Sequence, residues 1–177
     1  DTITSDKWET CMTITGTASW GYDKSKKPQD YWTVNALVDY LVDIVSKNGN
    51  LLLNIGPKAD GTIPDIIHKR LLGIGRWLEV NGQAIYGTDY WKTYGQGNIR
   101  FTRKGENTLY AIALEWPDKQ VILQSLNENM DRQIQKVSIL GDNEKLEWNL
   151  SEKGLTIETP QKRPCKYAYS FKIVFKM

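Results

Sequence analysis

Few residues of this chain have the type and the setting to do chemistry. Glu9 stands beside Trp8 in a short strand-like run, Trp20-Gly21-Tyr22 forms an aromatic loop downstream, and Asn54 lies at the end of a second apolar run. A carboxyl partly desolvated by a neighbouring indole keeps its proton to higher pH, so Glu9 could act as a general acid near neutrality. Hydrolysis of a glycoside with retention needs such a group together with a second carboxyl about 5 Å away. An ion pair with a nearby Lys or Arg is the structural alternative for Glu9. Trp20 could wall an apolar patch of a ligand or simply anchor its loop, and Asn54 could hold a pocket floor by hydrogen bonding or serve structure alone.

Other reactive groups are isolated. His68 is the single histidine and falls on a helical segment, where it reads as surface. With no second His or Cys at ligand spacing, no metal site is expected. Asp60-Gly61 shares only its first residues with a calcium loop. Cys11 and Cys165 lie far apart and read as free, buried thiols, with a bridge between them left open.

The composition describes a folded chain. Of 177 residues, 40% are hydrophobic and 25% charged, which excludes disordered and fibrous classes. The 23 basic and 21 acidic residues nearly cancel, so neither nucleic acid nor a membrane surface is an expected partner. The densest basic run, Lys24, Lys26 and Lys27, reads as a solvated loop. No apolar stretch approaches the roughly 20 residues of a membrane span, and the opening residues show no export signal. Seven Trp and nine Tyr are generous for this length, and suit either a core or stacking against sugar rings.

Two textures meet near residue 92. Before it, a strand from Trp8 to Thr15 leads through a loop, 16–30, into a helix marked by Val34, Leu37, Val38, Leu41, Ile44 and Val45. Asn48-Gly49-Asn50 stops that helix, Leu51–Ile55 reads as a buried parallel strand, and Pro64 opens a second helix with the stripe Ile67, Leu71, Ile74 and Leu78. Asn81-Gly82 closes it. The order is that of a (β/α) barrel, in which functional groups stand at the C-terminal ends of strands; that rule selects Glu9, the 20–22 loop and Asn54. Two units cannot close a barrel of eight, so an upstream portion is expected to supply the rest.

After residue 98 the helical period vanishes. Strands are predicted at 98–104, 108–115, 120–125, 135–140, 146–149, 155–158 and 167–175, the last with strictly alternating Tyr167, Tyr169, Phe171, Ile173 and Phe175. The expected fold is α/β followed by all-β: residues 1–92 as a remnant of a (β/α)8-type barrel, and residues 93–177 as an antiparallel β-sandwich. Trp116 and Trp148 are expected to face its core, or else to give the sandwich a sugar-binding surface of its own.

Trp8-Glu9-Thr10-Cys11-Met12-Thr13-Ile14, Ser19-Trp20-Gly21-Tyr22, the run Asn48–Pro57 with Asp60-Gly61, and Asn81–Gly87 occur in an order that resembles the family 29 α-L-fucosidases. The resemblance covers roughly Trp8–Trp91; beyond Asn98 it is one of architecture and position. It implies removal of terminal α-L-fucose from glycans by double displacement, without metal or organic cofactor, with the nucleophilic Asp on an earlier barrel strand. It implies Glu9 as acid/base, or as a hydrogen-bonding group in the same pocket, and Trp20, Tyr22 and Asn54 as residues facing the sugar. The alternative is a non-catalytic fragment or a sugar-binding module. Fucosylated glycans as substrates imply a secreted, periplasmic or lysosomal-like compartment.

Overall fold

The computed structural model describes residues 2–16 and 20–176, so Ser19 of the aromatic loop lies outside the described residues. Strand β1 (Trp8–Thr13) and strand β2 (Gly49–Asn54) pair in parallel, with Glu9 opposite Asn50, Cys11 opposite Leu52 and Thr13 opposite Asn54. Between them runs α1 (Val34–Ser46), opened by the Thr33 hydroxyl, which accepts the Ala36 N–H at 3.1 Å. Asn48 takes φ 72°, and its side-chain amide donates to the Thr4 and Ser5 carbonyls at 3.0 Å each. The chain is thus extended again by Gly49, two residues before the predicted start of the strand. Only glycine fits there, because a Cβ would come within 2.6 Å of the Trp8 ring.

Helix α2 (Asp65–Asn81) begins directly after Pro64. It crosses α1 at Gly73, where a Cβ would lie 2.6 Å from Val34. The close approach draws the buried positions of α2 to Ile67, Gly73, Trp77 and Asn81, while Leu71, Ile74 and Leu78 are only partly buried. One face of the β1–β2 pair packs on the helices through Met12, Ile14, Leu53 and Ile55, together with Leu37 and Ile67.

Among the described residues, eight further strands form two antiparallel sheets: β3 (Gly95–Gln96), β4 (Ile99–Lys104), β5 (Thr108–Ala113), β6 (Gln120–Leu123), β7 (Ile134–Ile139), β8 (Trp148–Ser151), β9 (Gly154–Glu158) and β10 (Tyr169–Phe175). Their orders are β3-β4-β5-β10-β7 and β6-β9-β8. Phe101, Leu109, Phe171 and Ile173 of the first meet Val121, Leu123, Leu155 and Ile157 of the second in one core. Tyr167 holds φ 71°, a left-handed conformation that breaks the predicted alternation and delays β10 to Tyr169.

The five-stranded sheet is buried on its other face too. Tyr110 and Ile112 join Val34, Val38, Val42 and Trp77 in a second core beneath the helices, and the Trp77 indole N–H donates to the Ala168 carbonyl at 2.8 Å. At Asp43 burial opposes ionisation, but the Lys47 ammonium at 2.8 Å and the Arg100 guanidinium at 2.6 Å outweigh it and hold the carboxyl below its usual range. The layers therefore run parallel pair, helices, five-stranded sheet, three-stranded sheet.

Candidate active-site cleft

The far face of the β1–β2 pair carries Glu9, Cys11 and Thr13 opposite Asn50, Leu52 and Asn54. Glu9 and Cys11 are exposed, and Leu52 is 51% exposed. The expected burial of Cys11 fails because alternation along the strand puts it on this open face; Cys165 is partly buried, and both thiols are free. The same alternation corrects Glu9. Trp8 and Glu9 point to opposite faces, so the indole does not desolvate the carboxylate.

Glu9 is moreover the second residue of its strand, four residues short of Thr13, or about 13 Å at ~3.3 Å per residue. It stands near the N-terminal end of the parallel pair rather than the C-terminal end the barrel rule requires. That rule selects Thr13 on β1 and Asn54 on β2.

Around those two residues the chain builds a cleft. The Asn54 side-chain amide donates to the Trp20 carbonyl at 2.7 Å, which ties the aromatic loop to the end of β2. Gly56, at φ 49°, passes so close that a Cβ would lie 3.0 Å from the Gly21 carbonyl carbon. Only a residue without a side chain lets this turn and the loop backbone touch. Thr15 and Tyr31 form an antiparallel bridge, and the Trp32 N–H donates to the Ile14 carbonyl at 3.0 Å. The Thr13 hydroxyl donates to the Thr15 carbonyl.

Tyr22, Asn54, Thr13, Tyr31, Asp23 and Lys26 are among the lining residues. Tyr31 is buried, and burial pushes its phenol pKa up, reinforced by Tyr22, Asp23 and Asp30. It therefore stays a neutral hydrogen-bonding group. Asp23 is pulled below its usual range by the hydroxyl and amide of Ser25, at 2.7 and 2.9 Å, and stays ionised. Trp20 leaves 57% of its surface exposed and Tyr22 43%, so two aromatic faces stand free around the strand ends.

The structure thus brings Tyr22 and Asn54 together, ties the Trp20 backbone to Asn54 while the Trp20 ring lines a neighbouring surface with Trp8, Met12 and Trp32, and leaves Glu9 apart. Thr13 and Tyr31 were missed from sequence. The strand-end rule applied to the predicted strand points to Thr15, two residues past Thr13, because the observed strand ends earlier, whereas nothing marked Tyr31 apart from its place just before a helix. His68 is exposed on α2. Among the described residues no three His, Cys, Asp or Glu side chains converge as metal ligands, and no helix is long and apolar enough to cross a membrane.

Residues 1–83 match the family model described as Alpha-L-fucosidase, and residues 93–174 match the Alpha-L-fucosidase C-terminal domain. Human plasma alpha-L-fucosidase is 40% identical over 174 residues, covering 93% of this chain and 37% of that relative. Human tissue alpha-L-fucosidase is 37% identical over 175 residues. The structure of Thermotoga maritima alpha-fucosidase in complex with fucose superposes with a TM-score of 0.83 at 37% identity, covering 97% of this chain and 41% of that one. The chain belongs to the α-L-fucosidase family. It spans 37% of the length of the first curated relatives it matches.

Proposed function

We infer that this chain forms the C-terminal part of an α-L-fucosidase that hydrolyses terminal α-L-fucosyl linkages of glycans with retention of configuration. The observation that carries the reading is the cleft in which Tyr22 and Asn54 meet at the C-terminal ends of two parallel strands, with the Trp20 backbone tied to Asn54, in a chain both of whose halves match fucosidase models. Aromatic faces beside hydrogen-bonding groups suit a sugar with one apolar edge. Trp20 is assigned to that edge, Tyr22 and Asn54 to positioning. Retention is supported by a structural neighbour from Bacteroides thetaiotaomicron, 25% identical, trapped as a covalent intermediate. The reaction calls for two carboxyls, one as nucleophile and one as acid then base. Both are assigned to segments outside this chain, since Glu9 stands at the wrong end of its strand.

Residues 1–92 then act as the last units of a β/α barrel and residues 93–177 as the accessory sandwich. The open face bearing Leu52 and the free edges of β1 and β2 support a place in a larger sheet, completed by barrel segments of the same or another chain. A fucosylated glycan is the substrate, in a compartment where such glycans occur. The test is release of 4-nitrophenol from its α-L-fucoside by the chain alone and by the chain joined to the barrel portion of a relative. Turnover only in the joined form supports the reading. Turnover by neither, with the joined protein folded, or turnover by this chain alone, would count against it.

A further inference from the structure

The two sheets of the sandwich end in the edge strands β7 and β8, joined by the loop 140–147. A groove lies between them, with Gln83, Lys136, Ser138, Asn143, Trp148 and Lys172 on its walls. Trp148 stands opposite Ile157 in the β8–β9 ladder, but it is not among the residues packed on the sandwich core, so the expected core position fails for it, whereas Trp116 does pack there. Because β8 is an edge strand, 37% of the residue remains exposed.

The groove has fixed walls. Gly141, at φ 85°, presses the loop onto α2 so tightly that a Cβ would lie 2.5 Å from the Val80 side chain. The Asp142 carboxylate accepts the Glu144 N–H at 2.9 Å and shapes the turn that presents Asn143. On the helix-side face of β10, the Lys172 ammonium donates to the Gln83 side-chain amide oxygen at 3.3 Å. The lysines around the groove are matched by Asp142, Glu144 and Glu147, the last 3.9 Å from Lys145, so no strong field selects an anion. Gln135 and Lys136, exposed on β7, disfavour addition of a peptide strand to this edge.

One aromatic surface among amide, hydroxyl and ammonium donors is the complement of a pyranose ring. We propose that this groove binds neutral oligosaccharide, stacking one ring on Trp148 beside Asn143, while a neighbouring ring reaches round the edge of β7 to Lys136 and the Lys172–Gln83 pair on the other face of that sheet. The choice of a glycan rests on the fucosidase reading.

The test is an amide-shift titration of the chain by NMR with lacto-N-tetraose, a neutral oligosaccharide without fucose. Binding in the groove perturbs residues 135–148 and the Trp148 indole, and Trp148→Ala weakens it roughly tenfold, as expected for loss of an aromatic platform. Asn143→Ala, on an exposed turn that tolerates the change, weakens it less and guards against misfolding of the first variant. Absence of shifts in 135–148 at millimolar sugar overturns the proposal, as do shifts confined to residues 20–22 and 54–56 or affinity unchanged in both variants. Hydrolysis is not part of the readout. Groove binding without fucosidase turnover in the joined protein would overturn the function reading alone, and turnover without groove binding this inference alone.

Discussion

Replacing Asp39 with Asn should stabilise the chain at alkaline pH and leave it unchanged in acid. The Asp39 carboxylate accepts the Asn35 side-chain amide at 2.7 Å through Oδ2, while Oδ1 is buried without a hydrogen-bond partner. Burial and the like charge of Glu115 push its pKa from the ordinary 3.8 up to about 6, against a smaller opposing pull from Arg100. A folded-state pKa above the unfolded one means that folding favours the protonated form. The contribution is fully present below about 3.8 and is lost as pH rises through about 6. At 1.36 kcal/mol per unit the full difference corresponds to about 3 kcal/mol. The side chain is only half-buried, so solvent screening reduces this to about 1–2 kcal/mol. Asp39→Asn removes the charge and keeps an acceptor for Asn35. Its expected gain is about 1–2 kcal/mol at pH 8, or roughly 3–6 °C in Tm, vanishing below pH 4. Thermal and urea melts from pH 4 to 8 measure it. An offset constant across that range, or a loss at pH 8, would refute the reasoning.

Gly49→Ala forces a Cβ into the Trp8 ring and Ile44, and should cost about 2 kcal/mol in urea unfolding. Trp77→Phe leaves the buried Ala168 carbonyl with only the weak Cys165 thiol donor at 3.5 Å and should cost about 1–2 kcal/mol by the same measure. In the protein joined to its barrel, Asn54→Ala frees the Trp20 carbonyl; kcat/KM on the aryl fucoside should fall about 10–100-fold while Tm moves by no more than about 2 °C. Glu9→Gln in that protein should leave both limbs of the pH–rate profile in place and kcat within about threefold, since removing a general acid or base typically costs 10²–10⁴. A hundredfold loss would restore Glu9 to the catalytic step.

Much of the fold was legible because periodicity reports burial directly. The apolar spacing from Val34 to Val45 and the alternation in Phe171, Ile173 and Phe175 each identified their element. The two-residue β3 carries too few positions for any period, and so was missed. The start of β2 was misplaced because Asn-Gly reads as a helix stop, whereas Asn48 alone makes the turn and Gly49 already lies under Trp8. The placement of the 20–22 loop beside Asn54 was legible because both follow strands. The setting of Glu9 was not legible, because sequence adjacency to Trp8 suggested a shared environment, while a strand sends neighbours to opposite sides.

The double burial of the five-stranded sheet bears on how this chain can be cut. Tyr110 and Ile112 are covered by Val34, Val38 and Trp77, residues far earlier in the sequence. Scission in the connector near residue 92, followed by loss of the first half, would strip one side of that sheet and present its apolar surface to water. The fragment 93–177 expressed alone should therefore self-associate, whereas a protein nicked there should hold together until denatured. Donors for grafting this sandwich onto other proteins would have to carry the two helices with it.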